Sequence, residues 1–365
     1  MSRGAAHAAH DAGACAVPAA AALSPDEARV WPGTLLAPDG TLVAPYDLEH
    51  GHGRAVGHVP AAVALGLLHA ATQPFRLDYG GAPHVHVING MGVKLGDSVI
   101  GLTALAALRE AHPGLRFTLY RPAGAPRYVE TLYALAADVV APSRALPWPA
   151  DALPAASHCI DLGNHLYWPD FARLPMIDFF LAALGADPAA LPASAKRNRW
   201  LARVPLPALP DAWRRPYALF CPSASTAVRS VPPALRAAFV DRLARRYRLP
   251  VVGFGPVAHP AYVDASGFAH DTAAFIAWIK GASVLFASDS AAVHLADGFD
   301  VPTLACFTTI APALRVRDYP HCVPVALDLP DALRGLHRSE APDDLAAVGA
   351  AYRAVDWDAV GWPVI

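Results

Sequence analysis

The chain has 365 residues, 54% of them hydrophobic and 16% charged, with a formal charge of −2. That length and composition suit two globular domains of ordinary size plus an appendage, and they exclude a disordered chain. The near-neutral balance gives no global field for nucleic acid or an anionic membrane, so partners must be sought in local sites.

The five cysteines, Cys15, Cys159, Cys221, Cys306 and Cys322, are far apart and include no Cys-x-x-Cys pair. This argues against a zinc ribbon or a disulfide framework and points to a reducing compartment. Residues 1–24 read as a flexible leader, because the Ala-rich run is interrupted by His7, His10 and Asp11 and makes a poor secretory signal. The longest apolar runs, such as Val59 to Leu68, are too short to span a bilayer. A soluble cytoplasmic protein is expected.

Taken in order, Asp39-Gly40 between two apolar runs predicts a hairpin over Thr34 to Ala44. Pro60 to Gln73 predicts a helix, which completes a small N-terminal extension over residues 1–80. His50, His52 and His58 lie in a Gly-rich stretch that reads as a solvated loop; with no cysteine at ligand spacing, no metal site is expected. The first α/β unit, residues 81–200, opens with a strand at His84 to Asn89, turns through Gly90 to Ser98 and enters a helix over Val99 to Glu110. Strands at Phe117 to Tyr120, Val139-Val140 and His158 to Leu162 alternate with helices at Tyr128 to Ala136 and Met176 to Leu184. Such alternation implies a parallel, doubly wound sheet.

Between Asp187 and Asp211 the composition shifts to Pro and Ala around the basic cluster Lys196-Arg-Asn-Arg, which reads as a solvated connection ending in an edge segment. A second Rossmann-like unit, residues 201–340, is predicted from strands at Tyr217 to Cys221, Val251 to Phe254, Val284 to Ala287 and Thr303 to Phe307. Helices at Pro233 to Tyr247 and Thr272 to Lys280 separate them. Residues 341–365 read as a final helical segment anchored by Trp357 and Trp362. The apolar strand that stops at Ser288-Asp289-Ser290 presents polar groups where ligands bind in open α/β sheets. Asp289 and Ser290 could also cap the helix that follows, whose free N–H groups suit a diphosphate.

Three stretches in this order resemble glycosyltransferase family 9, the ADP-heptose heptosyltransferases of bacterial envelope assembly, which adopt the GT-B fold. They are Lys94-Leu-Gly-Asp-Ser-Val-Ile-Gly with Leu115 to Tyr120, Leu219-Phe-Cys-Pro-Ser-Ala-Ser through Arg229-Ser-Val-Pro, and Asp289-Ser-Ala-Ala-Val-His with Pro302 to Phe307. The resemblance implies two Rossmann-like domains facing across a cleft and an inverting, metal-independent glycosyl transfer that needs no cofactor. Asp97 would be the catalytic base, since the attacking hydroxyl must give its proton to a carboxylate. Ser223, Ser225, Thr226, Arg229, Asp289, Ser290, Ala291 and His294 would hold the nucleotide-sugar donor, with Lys94 as a further phosphate contact.

Two departures bear on the donor. Ala291 stands where the family usually has Gly, and the Gly253-Phe-Gly-Pro stretch lacks the nearby Glu that usually binds the ribose. ADP-heptose leads the donors the resemblance implies, and a bacterial envelope glycan or lipid-linked glycan is the implied acceptor, reached in the cytoplasm or by peripheral association with the inner membrane face. Alternatives are a protein O-heptosyltransferase, disfavoured because that group's cysteine cluster is missing, and a catalytically idle nucleotide-binding homologue. Gly253-Phe-Gly-Pro lacks the third glycine of a dinucleotide fingerprint, which disfavours a nicotinamide enzyme.

Overall fold

The computed structural model describes residues 21–365; the leader expected over residues 1–24 falls, through residue 20, outside them, as does Cys15. The described part opens on α1 (Pro25–Val30), where the Ser24 hydroxyl accepts from the Glu27 N–H and the Glu27 carboxylate accepts from the Ser24 N–H. The predicted hairpin forms: β1 (Leu35–Leu36) and β2 (Thr41–Val43) pair antiparallel. Gly40 supplies a φ of 82°, and Asp39 accepts from the Thr41 N–H and hydroxyl. After α2 (Pro45–Glu49), β3 (Val59–Pro60) pairs with the other side of β1.

The helix predicted over Pro60 to Gln73 is a single turn, α3 (Ala61–Leu65). Gly66, left-handed at φ 67°, ends it, and Leu68 then lies beside Ile160 as a parallel bridge. Of the three loop histidines, His50 and His52 are exposed but His58 is buried.

The first domain runs β4 (His84–Ile88), α4 (Leu95–Ala111), β5 (Arg116–Arg121), α5 (Arg127–Leu135), β6 (Ser143–Ala145), β7 (Trp148–Pro149), β8 (Cys159–Asp161) and α6 (Met176–Ala183). Its parallel sheet has the order β6-β5-β4-β8, while β7 joins the appendage in a separate antiparallel sheet, β3-β1-β2-β7. Val139 and Val140 are not a strand: both N–H groups bond back to the Ala136 carbonyl and finish the turn after α5. The strand comes later, at Ser143–Ala145, where every residue is exposed and no apolar pattern marks it. α4 starts a turn earlier than predicted, which puts Asp97 inside its first turn.

Residues 187–211 form short 3₁₀ turns in place of an edge segment. The basic cluster there is buried at Lys196, Arg197 and Asn198, contrary to expectation, and only Arg199 is exposed. Lys196 Nζ lies 2.8 Å from Asp178, and Arg197 Nε donates to Asp297 at 2.8 Å and its Nη2 to Asp300 at 2.7 Å. A buried cation needs such partners, and these are supplied by residues distant in sequence. Asn198 is fully buried between the domains. Its Oδ1 accepts from Thr103 Oγ1 of α4 at 2.6 Å, its Nδ2 donates to the His294 carbonyl at 2.9 Å and to Tyr319 Oη at 2.8 Å, and its N–H donates to Asp297 at 2.9 Å.

The second domain runs β9 (Ala218–Cys221), α7 (Pro233–Tyr247), β10 (Val251–Gly253), β11 (Tyr262–Asp264), α8 (Thr272–Gly281), β12 (Val284–Ser288), α9 (Ala291–Asp297), β13 (Thr303–Phe307), α10 (Ala313–Val316), β14 (Cys322–Ala326) and α11 (Pro342–Ala354). All its strands are parallel, in the order β11-β10-β9-β12-β13-β14. The two edge strands escaped the sequence reading, since β11 has three residues and β14 carries Pro324. The C-terminal helix stops at Ala354, short of Trp362. Trp357 and Trp362 nevertheless pack on Phe239 and Phe286, with ring centroids 4.8 and 6.0 Å apart for Phe239–Trp357 and Phe286–Trp362.

In both domains the winding reverses beside the first strand, between β4 and β8 and between β9 and β12. Ligands bind in the crevice outside the strand ends at such a reversal. The two reversals face one another across a cleft, the arrangement expected from the sequence. Among the described residues no helix is long and apolar enough to cross a membrane.

The seam makes a stability prediction. Asn198→Ala strips partners from Thr103, the His294 carbonyl and Tyr319 at once and should lower the unfolding free energy by about 2–4 kcal/mol. Urea denaturation measures it; a loss below about 0.5 kcal/mol would show that the seam does not depend on this amide.

Candidate functional site

The cleft has a volume of about 590 Å³ and draws its walls from both domains. From the first come Lys94, Asp97, Tyr128, Leu166 and Phe171; from the second come Ser223, Ser225, Thr226, Arg229, Asp289, Ser290, Ala291, His294 and Arg315. Every residue singled out as a donor-binding or catalytic candidate from the sequence therefore lines one cavity.

Asp97 is placed by the loop after β4. Arg121, buried at the end of β5, donates to the Gly90 carbonyl at 2.9 Å and the Gly92 carbonyl at 3.2 Å, and its guanidinium lies 3.6 Å over the Tyr133 ring. Gly92 must be glycine: its φ is 70°, and a methyl there would come within 2.6 Å of His165 Cε1. No side-chain cap closes α4. The Asp97 carboxylate faces His165 instead, Oδ2 to Nε2 at 3.5 Å, a close contact longer than a full hydrogen bond. His165 is buried in an aromatic cage, edge-on to Phe171 and Phe180 with centroids 4.7 and 5.2 Å away. Asp97 itself keeps 15% of its side chain exposed, toward the cleft. Burial pushes its pKa up, but the neighbouring His165 imidazole and the charges of Arg315 and Arg229 outweigh burial and hold the carboxyl below its ordinary value.

Across the cleft, Asp289 and Ser290 follow β12. Neither caps α9 as the sequence suggested: Ser290 occupies the N-cap position, yet its hydroxyl makes no cap bond and is buried without a partner. Asp289 pairs with Arg229, Nε to Oδ2 at 3.1 Å, and Arg229 Nη2 also donates to the Asp289 carbonyl at 2.8 Å. The pair is skewed, so that Arg229 Nε and Asp289 Oδ2 each lack a well-aligned hydrogen bond. Ser223 and Ser225 are exposed to the cleft; Thr226 is partly buried and spends its hydroxyl on the His337 carbonyl, 3.2 Å away. Lys94 is exposed at the rim.

His294 is buried, and its Nδ1 lies 3.0 Å from Tyr319 Oη. Burial is the main reason its pKa falls to about 4, so the ring is neutral at physiological pH. Its other edge faces the first domain, where a methyl on Gly96 would lie 3.3 Å from His294 Cδ2 and 3.8 Å from Ala291 Cα. Ala291 thus sits at a point of close approach between the two domains within the cleft.

Four contributors were missed from the sequence. Arg315, 7% exposed, enters the cleft from α10 and forms no ion pair with a carboxylate among the described residues. Burial lowers its pKa, with the nearby carboxylates of Asp289 and Asp97 opposing that shift. His337 stacks on Phe171 with centroids 6.0 Å apart, and Glu340 brings a carboxylate to the cleft from outside the stretch where one was sought. His165 is the fourth. A four-residue helix, a loop and a turn carry them, and none has a spacing that sequence periodicity could reveal.

No protein-family model matches the sequence, and no curated protein matches it. Among solved structures, the chain is 15% identical to the ADP-heptose LPS heptosyltransferase II of E. coli, over 74% of this chain and 100% of that one, with a TM-score of 0.43. It is 14% identical to the E. coli heptosyltransferase WaaC, solved with ADP, over 74% and 98% of the two chains, with a TM-score of 0.44. A glycosyl transferase family 9 protein from Veillonella parvula gives 14% identity over 69% and 87%, with a TM-score of 0.44. At these identities the likeness is one of fold alone.

Proposed function

We propose that this chain is an inverting glycosyltransferase that takes a nucleotide-diphosphate sugar, with ADP-heptose the leading donor, and passes the sugar to a hydroxyl of a bacterial envelope glycan or lipid-linked glycan at the cytoplasmic face. The observation that carries the reading is the pairing of a carboxylate on one wall, Asp97, with a buried guanidinium that has no carboxylate ion pair among the described residues on the other, Arg315, inside a single cleft of about 590 Å³. A buried guanidinium without an internal counter-ion is costly unless an anion completes it. The unpartnered Ser290 hydroxyl in the same cleft supports the same reading.

In the reaction, Asp97 takes the proton of the acceptor hydroxyl as its oxygen attacks the anomeric carbon. The bond from that carbon to the diphosphate oxygen breaks on the opposite face, and its electrons leave with the diphosphate. In this reading Arg229, Arg315 and the Ser223 and Ser290 hydroxyls meet that growing charge, in place of a metal ion. His165 keeps Asp97 ionised and oriented. Phe254 and Phe275 line the same cleft and suit the flat face of a base.

Two variants and the wild-type pH profile test this. Asp97→Asn should cut kcat by about 10²- to 10⁴-fold while ADP binding, followed by calorimetric titration, stays near wild type. Because the Asp97 carboxyl is held low, wild-type activity should show no acid limb from this group above about pH 4. No ADP binding by the wild-type protein would sink the reading. Arg315→Met should weaken ADP binding by about 10- to 100-fold yet raise the melting temperature of the unliganded protein, because it removes a buried unpaired charge. A lowered melting temperature would mean that Arg315 serves the fold and not a ligand.

A further inference from the structure

Asp161 ends β8 and is fully buried, yet it forms no ion pair among the described residues. Three donors hold it instead: the Thr34 N–H at 2.7 Å, Thr34 Oγ1 at 2.6 Å and the Gly163 N–H at 2.9 Å. A buried carboxylate demands such donors, and charge-assisted bonds of this kind are the strong ones. Two of the three come from the N-terminal appendage. The contact continues along the turn, where Asn164, left-handed at φ 52°, donates from Nδ2 to the Trp31 carbonyl at 2.9 Å. Gly163 is wedged as well: a methyl there would lie 2.6 Å from both the Gly33 carbonyl carbon and Asn89 Nδ2.

The next residue is His165. Its Nε2 has no well-aligned hydrogen bond, and its ring is packed by Phe171, Phe180 and the Gly92 backbone, so no polar contact of its own fixes where it stands against Asp97, and the backbone at Gly163 and Asn164 that carries it helps to set that position. We propose that Trp31 and Thr34 of the appendage, acting through Asn164 and Asp161, are positioning residues of the active site that hold His165 against Asp97. This deepens the proposed function, resting on it only for the role of Asp97 as base.

The groups that face Asp97 are His165 from the turn after β8, Tyr128 and Tyr133 of α5, and Arg229, His294, Arg315 and His337 from the second domain. Of these, His165 is the one the appendage reaches. When it drifts away, burial acts with less opposition and the Asp97 carboxyl rises, which carries the acid limb of kcat to higher pH.

The test uses the full chain. Thr34→Val removes one donor at nearly constant shape, and Asn164→Gly keeps the left-handed turn but loses the bond to Trp31. In ¹⁵N NMR the ring signals of His165, assigned with His165→Gln, should move in both variants toward their position in Asp97→Asn. In Thr34→Val, kcat should fall by about 10- to 100-fold, with donor KM unchanged and the acid limb shifted up. Thr34→Ser, which keeps both donors, should match wild type. If Thr34→Val does not fold, Asn164→Gly carries the test. Folded variants whose His165 signals stay at the wild-type position overturn the proposal. The NMR readout needs no turnover, so a wild-type protein without transferase activity would count against the proposed function and leave this measurement standing.

Discussion

The fully buried amide of Asn198 is the joint on which the two domains depend. It accepts from Thr103 in the helix that also carries Asp97, and it donates to the carbonyl of His294 in the helix that follows Asp289 and Ser290. Both halves of the cleft are therefore referenced to one side chain. Tyr319 extends the link, since its hydroxyl meets both Asn198 Nδ2 and the ring of His294. Arg197 and Lys196 reinforce the joint through Asp297, Asp300 and Asp178, and Arg317 reaches Asp178 from the second domain at 2.7 Å. Such buried networks fix geometry more surely than they add stability.

Charge in the cleft is divided by use. Asp289 and Arg229 largely answer each other, whereas Asp97 is answered by a histidine and Arg315 by no carboxylate. Of the two carboxylates at the strand ends, the one in the second domain is thus tied down and the one on the first-domain wall is not; Glu340 is a third carboxylate in the cleft, exposed and away from the strand ends. That polarity matches a reaction in which one wall receives a proton and the other receives an anion.

Much of this could be read from the sequence, and the reasons for the rest are physical. Long apolar strands such as Val284–Ser288 and Thr303–Phe307 are buried on both faces and declare themselves by composition. The turns that follow them hold the polar residues that meet in the cleft, because strand ends in a parallel sheet converge on one side. What stayed hidden needed long-range partners. Lys196 and Arg197 look like surface cations until Asp178 and Asp297 are beside them, and Arg315 sits on a helix of four residues with no periodicity to read. The short α3 was lost to Gly66, whose left-handed turn outweighs the apolar residues around it. His165 follows a turn shaped by the appendage, a contact between residues more than 120 positions apart in the chain.

The two ends of the second sheet have a bearing on how this protein behaves when concentrated. A parallel sheet with open borders offers rows of unpaired backbone groups on which another chain can build, the usual start of aggregation through strand addition. Here one border is β11, three residues long, and the other is β14, interrupted by Pro324, which has no N–H to give. Neither offers a long template, so the same brevity and the same proline that hid these strands from a reading of the sequence also blunt the domain's capacity to recruit copies of itself.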